Sequence, residues 1–398
     1  MNLLQVVPYD SHPPRMGGDH RSHGLVKEFP KHGDTVFRFC QGGSPKLYKS
    51  LNIRRQVTIE EGYVEYRHLH PLHEAAKAPM LLGYPNLFAG WTLRYASDGL
   101  RDRISEADAV LVREPWQFKT VDELTPASTP IVYSSHNVET ERFDEISRPL
   151  FDDWTIDRVQ KLEQYAVDHA DMIVTTSERD AEVYRNEFGS TATHVVAPNG
   201  TYEKSIRPHN PDAEGVSQLR SRYGIAPDAT VCLFMGSDYQ PNVVAAEHVV
   251  EFARELPSVE FVIMGTVGNS LDSGEVPGNV TITGYVEGDF EAHFDLADIA
   301  LNPMTKGGGT NIKLIDYFAR SLPVVSTPFG ARGIEVTDGE EIVVAGVGDF
   351  SAAVARLDSQ PDRQTKTGSA ARERASERYT WEAASKLLRE ELTRLNSD

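Results

Sequence analysis

Short apolar runs recur along the whole chain, and each is separated from the next by a stretch of helical period. Leu3–Val7, Val36–Phe39, Ala109–Val112, Ile131–Ser134 and Met172–Thr175 occupy the first half. Thr230–Met235, Glu260–Met264, Val280–Thr283, Ile299–Asn302 and Pro323–Ser326 occupy the second. These runs are apolar on consecutive residues, so both faces of each strand need cover, as in a parallel sheet flanked by helices. Segments such as Asp157–Ala170 and Asn242–Glu255 carry apolar residues at helical spacing between them. No internal repeat interrupts the alternation. The predicted class is α/β.

A length of 398 residues fits two or three domains. The stretch Ala197–Gly215 contains Pro198, Asn199, Gly200, Pro208, Asn210 and Pro211, a composition that breaks periodic structure and suits a linker. It divides the chain into a domain over 1–198 and a similar one over 199–380. Residues 381–398 are predicted to form a helix, with Trp381, Ala384, Leu387, Leu388 and Leu392 on one face, that packs back toward the first domain.

The chain has 40 Lys+Arg against 59 Asp+Glu, a formal net charge of −19. That balance argues against a nucleic-acid partner, since phosphate binding wants a basic face. An acidic, lysine-poor surface suits solubility at high salt, and fits a halophilic source or an ordinary acidic cytosolic enzyme. Two cysteines, Cys40 and Cys232, exclude a disulfide scaffold and a cysteine-based zinc site. No run of about 18 apolar residues predicts a spanning helix, and Met1–Pro8 lacks the basic flank and length of a secretion signal. A cytoplasmic protein is expected. Two segments leave peripheral membrane contact open. The cluster Lys46, Lys49, Arg54 and Arg55 is either a patch for anionic headgroups or a solvated loop. Pro79–Tyr95, rich in Leu, Phe, Trp and Tyr, either meets a lipid-linked acceptor or is a buried helix.

Three segments after strands carry candidate chemistry. In Met16-Gly17-Gly18-Asp19-His20-Arg21, the glycines let backbone amides approach a ligand at a helix N-terminus. Gly17, Gly18 and Arg21 are therefore candidates for an acceptor or phosphate loop. Ser134-Ser135-His136-Asn137-Val138-Glu139 follows a strand end, where ligands bind in open α/β sheets. The most informative segment is Lys306-Gly307-Gly308-Gly309-Thr310-Asn311-Ile312-Lys313-Leu314-Ile315-Asp316-Tyr317. Three consecutive glycines cost too much entropy for a plain connector. A helix starting near Thr310 or Asn311 adds its positive dipole end to Lys306 and Lys313. Free amides, a dipole and ammonium groups together make a diphosphate site. Asp316 sits one turn after Lys313, better placed for sugar hydroxyls than for phosphate. Gly236, Gly265 and Gly284-Tyr285-Val286 each end a strand and outline a rim. No Asp-x-Asp pair occurs, so the usual carboxylate pair for a metal–diphosphate complex is missing. Neither Gly-x-x-x-x-Gly-Lys-Ser/Thr nor Gly-x-Gly-x-x-Gly occurs, which disfavours a P-loop enzyme and an oxidoreductase.

The succession Gly17-Gly18, His136-Asn137, Ser177-Glu178-x-Asp180, Pro198-Asn199-Gly200, Gly236, Gly284-x-Val286, Gly308-Gly309-Thr310 and Pro323-Val324-Val325 resembles the group 1 glycosyltransferases of GT-B architecture. The likeness spans the chain and is densest over 297–333, in Asp298-Ile-Ala-Leu-Asn-Pro and Pro323-Val-Val-Ser-Thr-Pro-Phe-Gly. The resemblance implies two Rossmann-like lobes facing a cleft. It implies a nucleotide-sugar donor in the second lobe, a glycan or lipid-linked acceptor in the first, retention of configuration, and neither cofactor nor metal. By position His136 matches the residue near the transferred sugar. Asp316 matches the second Glu of a Glu-x7-Glu pair, which binds the ribose, and Gly284–Val286 matches backbone contacts to the base. Two departures stand out. Gly308 replaces the first Glu of the pair, and Ser237-Asp238-Tyr239-Gln240 stands where the family has Arg and Lys. Lys313 would supply the lost positive charge. Without a dedicated carboxylate pair beside His136, a front-face route is expected rather than a covalent glycosyl-enzyme. A nucleotide-sugar epimerase, and a non-catalytic homologue binding nucleotide or a partner enzyme, are the rival expectations.

Overall fold

A computed structural model describes residues 1–49, 54–144, 150–272, 274–288 and 290–397, without the side chain of Lys46. The chain forms two compact units, Met1–Asn199 together with Trp381–Asp398, and Gly200–Thr380.

The strands of the first unit are β1 (Asn2–Val7), β2 (Thr35–Gln41), β3 (Gln56–Glu60), β4 (Tyr63–His68), β5 (Ala109–Val112), β6 (Ile131–Ser134), β7 (Met172–Thr175) and β8 (Thr193–Val196). They lie in the order β3-β4-β2-β1-β5-β6-β7-β8, and every pair is parallel except β3 with β4. Consecutive residues serve opposite faces. Leu4, Val6, Val110, Val112 and Tyr133 pack under Ile104, Phe118, Val121 and Ala166. Leu3, Val36, Leu111, Val132 and Val174 pack under Leu25, Val26 and Phe29. The same second face is covered by Ala384, Leu388 and Leu392 of the helix Trp381–Leu395. Ser385 Oγ accepts from Glu28 N at 3.0 Å, and Arg389 pairs with Asp34.

Strands β3, β4 and β8 have no counterpart among the apolar runs of the sequence, and β4 shows why. Its Glu65 is fully buried and is held by two arginines, Arg38 of β2 (Nη1, 3.3 Å) and Arg67 (Nε, 2.9 Å). Arg38 also donates from Nε to Gln5 Oε1 at 2.8 Å and from Nη1 to Ser11 Oγ at 2.9 Å. Burial pushes the Arg38 guanidinium below its ordinary value, against the pull of Glu65. An ionic lattice of this kind takes the place of apolar packing at that edge, and its value depends on every partner being present.

The second unit has β9 (Val231–Met235), β10 (Glu260–Met264), β11 (Val280–Gly284), β12 (Ile299–Asn302), β13 (Val324–Ser326) and β14 (Val343–Val344). They are all parallel, in the order β11-β10-β9-β12-β13-β14. Two apolar clusters cover the two faces, one around Leu233, Ala300, Leu314 and Phe318, the other around Phe234, Ile263, Leu301 and Val249. Most of the predicted linker belongs to this unit. From Gly200 onward it is fixed: Arg207 N donates to Ala319 O at 2.9 Å, and its guanidinium pairs with Asp295 (2.6 Å) and Glu291 (3.1 Å). Both cysteines are buried free thiols. Among the described residues no helix is long and apolar enough to cross a membrane.

The docking of the last helix is testable at Gly24. A Cβ there would stand 2.3 Å from Cδ2 and Cε3 of Trp381, a side chain 1% exposed. Gly24→Ala should lower stability by about 1–3 kcal/mol, the usual cost of overpacking, read from urea unfolding. An unchanged midpoint would show that the helix is not seated there.

Candidate functional site

Because the strands of each sheet other than β3 run parallel, their C-terminal ends and following loops gather along one edge. In the second unit, β12 runs into the triglycine bend. Gly307 and Gly309 have φ of 126° and 62°, left-handed values that favour glycine. The helix that follows, Ile312–Ala319, begins one residue beyond the expected caps. Asn311 holds the N-cap position, but its side chain makes no cap. It donates instead to Gly330 O at 2.9 Å. Arg332 donates to Gly307 O, and Asn302 Nδ2 donates to Gly330 O at 3.0 Å. The bend is thus tied to the loop after β13.

Lys313, half-buried, reaches across to the first turn of the helix Gln240–Glu255 that follows β9. Its ammonium donates to Asn242 Oδ1 at 2.8 Å, touches Met304 Sδ at 3.6 Å and lies 4.4 Å from the Phe234 ring centroid. Asn242 in turn donates to Ser237 O at 3.1 Å. A Cβ on Gly307 would come within 3.3 Å of Pro241. Gly236, the bend and Lys313 therefore converge on Asn242. Every described partner of this ammonium is neutral, and burial pulls it down to about 7.

The other sites predicted in this unit lie around that point or face elsewhere. Asp316 Oδ1 accepts from Thr201 Oγ1 at 3.3 Å and lies 3.5 Å from Arg320, which also binds Glu291 at 2.7 Å. Gly284 O accepts from Gly265 N at 2.9 Å. The Tyr285 ring is exposed, and Val286 packs against the core. Lys306, Gly308 and Thr310 are half-buried along the bend.

In the first unit the ends of β1, β5 and β6 bring Gly18, Arg113 and His136 together. A Cβ on Gly18 would stand 2.1 Å from Arg113 Nη2 and 3.4 Å from His136 Nδ1, so only glycine leaves room for the guanidinium. Gly17 is exposed beside it. Nε2 of the half-buried His136 ring is enclosed without a hydrogen-bond partner among the described residues, as are Nε and Nη1 of Arg113. Burial, then the charges of Arg113, Arg21 and Arg142, hold His136 well below the ordinary imidazole range, so the ring is neutral at pH 7. Asp19 and Glu114 flank Arg113 at 3.9 and 3.6 Å. Burial raises the pKa of both.

Arg21, predicted for an acceptor or phosphate loop, is 1% exposed and its guanidinium is used internally. Nη1 donates to Ala197 O (2.7 Å) and Asn199 Oδ1 (3.3 Å), and Nη2 donates to Thr175 O (3.1 Å). Burial lowers its pKa to about 9. It ties the first helix to the ends of β7 and β8.

Arg113, Asn242 and Arg332 escaped the sequence reading. Arg113 does stand directly after an apolar run, a position from which strand-end residues reach a ligand. Among the described residues no group of three or more His, Cys, Asp or Glu is placed to hold a metal ion.

With this geometry in hand, comparison with solved structures identifies the fold as GT-B. The chain superposes on sucrose-phosphate synthase from Thermosynechococcus elongatus with a TM-score of 0.79 at 14% identity, covering 100% of both chains. It is similar to Anabaena HepE in complex with UDP-glucose (TM-score 0.70, 14% identity, 98% and 99% covered) and to WaaG, a glycosyltransferase involved in lipopolysaccharide biosynthesis (0.69, 13%, 98% of each). Within that fold, residues 229–359, the core of the second unit, match the family of Glycosyl transferases group 1. A protein of the Klebsiella pneumoniae cps region is 29% identical over 128 residues, a match covering 28% of this chain and 33% of that relative. The resemblance read from the sequence is thus borne out for the fold and, over those residues, for the family.

The neutral surroundings of Lys313 set a pH dependence. An amine near 7 in the folded chain and near its ordinary 10.5 when unfolded binds fewer protons folded, so stability rises with pH across that window and levels off below it. Urea unfolding of the second unit should show this rise between pH 7 and 10. Lys313→Met should flatten it and be the more stable protein at pH 7. The same slope in both proteins would refute the assignment.

Proposed function

We propose that this protein is a retaining, metal-independent glycosyltransferase that moves a sugar from a nucleoside diphosphate to a hydroxyl of a glycan or lipid-linked acceptor, in the cytoplasm. The observation that carries the reading is the Lys313 ammonium, set among neutral partners beside a triglycine bend at a helix N-terminus. Such a group gains most from an arriving anion, since no carboxylate among the described residues pairs with it. On this reading the diphosphate takes Lys313, the Gly307–Gly309 amides, Thr310, Asn311 and the helix dipole, with Lys306 alongside. Gly236 leaves room beside it, Asp316 takes the ribose, and Gly284–Val286 meets the base. The first unit holds the acceptor near Gly17 and Gly18.

The chemistry needs charge stabilisation more than proton transfer. As the bond from the sugar to the diphosphate breaks, negative charge grows on the leaving phosphate, where a cation and oriented amides lower the barrier. In a front-face displacement the acceptor oxygen bonds to the anomeric carbon on the side the phosphate leaves. The acceptor proton passes to that phosphate. A neutral His136 orients the sugar without adding repulsion to the developing oxocarbenium charge. The missing Asp-x-Asp pair supports a diphosphate site served by lysine and amides. HepE in complex with UDP and with UDP-glucose makes UDP the first ligand to test.

Titration calorimetry at pH 8, in two buffers of different ionisation enthalpy, should show UDP or another of GDP, ADP and dTDP binding with proton uptake at Lys313. Lys313→Met should abolish the uptake. With the matching nucleotide sugar, His136→Ala and Lys313→Ala should each lose ~10-fold or more in kcat, as when a transition-state contact is removed. No heat from any of the four nucleotides would sink the reading.

A further inference from the structure

Among the described residues, the large apolar side chains left in solvent are concentrated in two segments of the first unit. Leu81 and Leu82 are 84% and 65% exposed, and Trp91 and Tyr95 stand one helical turn apart with ring centroids 5.4 Å from each other. Phe151 and Trp154 lie at the start of the helix Asp152–His169. The segments are fastened together: Tyr84 Oη donates to Leu150 O at 2.6 Å and accepts from Leu150 N at 3.1 Å. Phe151 holds φ 57°, a left-handed conformation costly for a bulky residue, and its ring is 73% exposed, so packing does not repay that cost.

The charge around this ridge is unlike the rest of the chain. Residues 78–93 contain no Asp, Glu, Lys or Arg, although these make up 25% of the sequence. Residues 35–59 contain five basic residues and no carboxylate, in a chain of net charge −19. Lys49, Arg54 and Arg55 of that stretch are exposed. The basic stretch adjoins the helix Pro71–Ala76 that leads into Leu81: Lys77 Nζ donates to Gly43 O at 3.0 Å, and Gly43 N donates to Glu74 Oε1 at 3.1 Å. Arg67 N donates to Arg55 O at 2.6 Å, and His68, next in the strand, meets the His73 ring of that helix at 5.2 Å. Asp152 and Asp153, next to Phe151 in sequence, lie in the first turn of their helix, where they complement its dipole, and Glu123 is paired with Arg94, the neighbour of Tyr95.

We propose that this ridge and its basic flank dock the first unit on the surface of an anionic lipid bilayer. Trp and Tyr favour the headgroup level, Leu and Phe the acyl boundary beneath it, and cations the lipid phosphates. Charge complementarity selects this occupant. A symmetric contact with a second copy through this face would set basic flank against basic flank, Lys49, Arg54 and Arg55 being exposed on each, and a soluble glycan gives exposed leucines nothing to bury. The inference is independent of the sugar-transfer reading.

Vesicle flotation tests it, with vesicles of phosphatidylcholine alone and of equal parts phosphatidylcholine and phosphatidylglycerol. The wild type should float with the mixed vesicles, less at high salt. Combined Leu81→Ser, Leu82→Ser and Trp91→Ser should lower partitioning ~10-fold or more on both vesicles, and Lys49→Ala, Arg54→Ala and Arg55→Ala only on the anionic ones. All six positions are distant in sequence from the diphosphate site, so circular dichroism and calorimetry with the nucleotide confirm folding and keep this test separate from that reading. A wild type that stays down with both vesicles, or apolar variants that float like it, overturns the proposal. So does a wild-type dimer in light scattering that the apolar substitutions convert to monomer, because the ridge then covers a second copy.

Discussion

A parallel strand delivers its carboxyl end to the same edge as its neighbours, and the chemistry on this chain follows from that constraint. Gly236, Gly265, the triglycine bend and Thr327 all follow strand ends of one sheet. Gly18, Arg113 and His136 follow strand ends of the other. None of these residues is near the others in sequence. Within each unit they meet because helices on both faces force each chain segment back to the starting edge before the next strand. The covering helices therefore matter to the site as much as the loops do. In the first unit one of them comes from the far end of the chain, where Leu388 and Leu392 complete the face begun by Leu3 and Leu25.

The two units hold their cations in different ways. Arg21 and Arg38 are buried with acceptors arranged around them, so their charges serve the fold. Arg113 keeps Asp19 and Glu114 beside it although two of its nitrogens make no hydrogen bond among the described residues, whereas the Lys313 ammonium, on its helix, has only neutral described partners. Burying a charge without a counter-charge costs several kcal/mol unless something repays it. Arrangements of that sort persist at sites where a ligand completes the set.

What the sequence made legible follows from how local each signal is. Fully apolar strands such as Ala109–Val112 and Met172–Thr175 announce themselves, and the structure places them where the runs stand. Strand β4 does not, because Glu65 and Arg67 look like solvent residues until Arg38, on another strand, is known to face them. The triglycine bend was readable because glycine is expensive wherever it is not needed. The role of Asn242 was not. Its amide matters only because Lys313, 71 residues later, ends 2.8 Å away. Likewise Arg113 reads as the polar end of a strand until Gly18 is seen to clear a space for it. Contacts between segments far apart carry no local pattern, so a bend or an apolar run is legible where the partners it acquires are not.

The choice of lysine at 313 is itself informative in a chain whose basic residues are mostly arginine. A guanidinium keeps its proton at any physiological pH, so an arginine enclosed by Asn242, Met304 and Phe234 would stay charged with nothing to balance it. An amine has an escape: burial among neutral groups pulls it down to about 7, and on the proposed reading it regains the proton when an anion arrives. The empty site then avoids much of the cost of a buried charge, while the occupied site has the full cation. On the proposed reading, nucleotide binding would then depend on proton supply, with affinity greatest where the amine is already protonated. An arginine would trade that dependence for a permanently destabilised unit, and around it the neutral surroundings would have to acquire a carboxylate. Such a carboxylate would then compete with the diphosphate for the cation, which is the competition the present arrangement avoids.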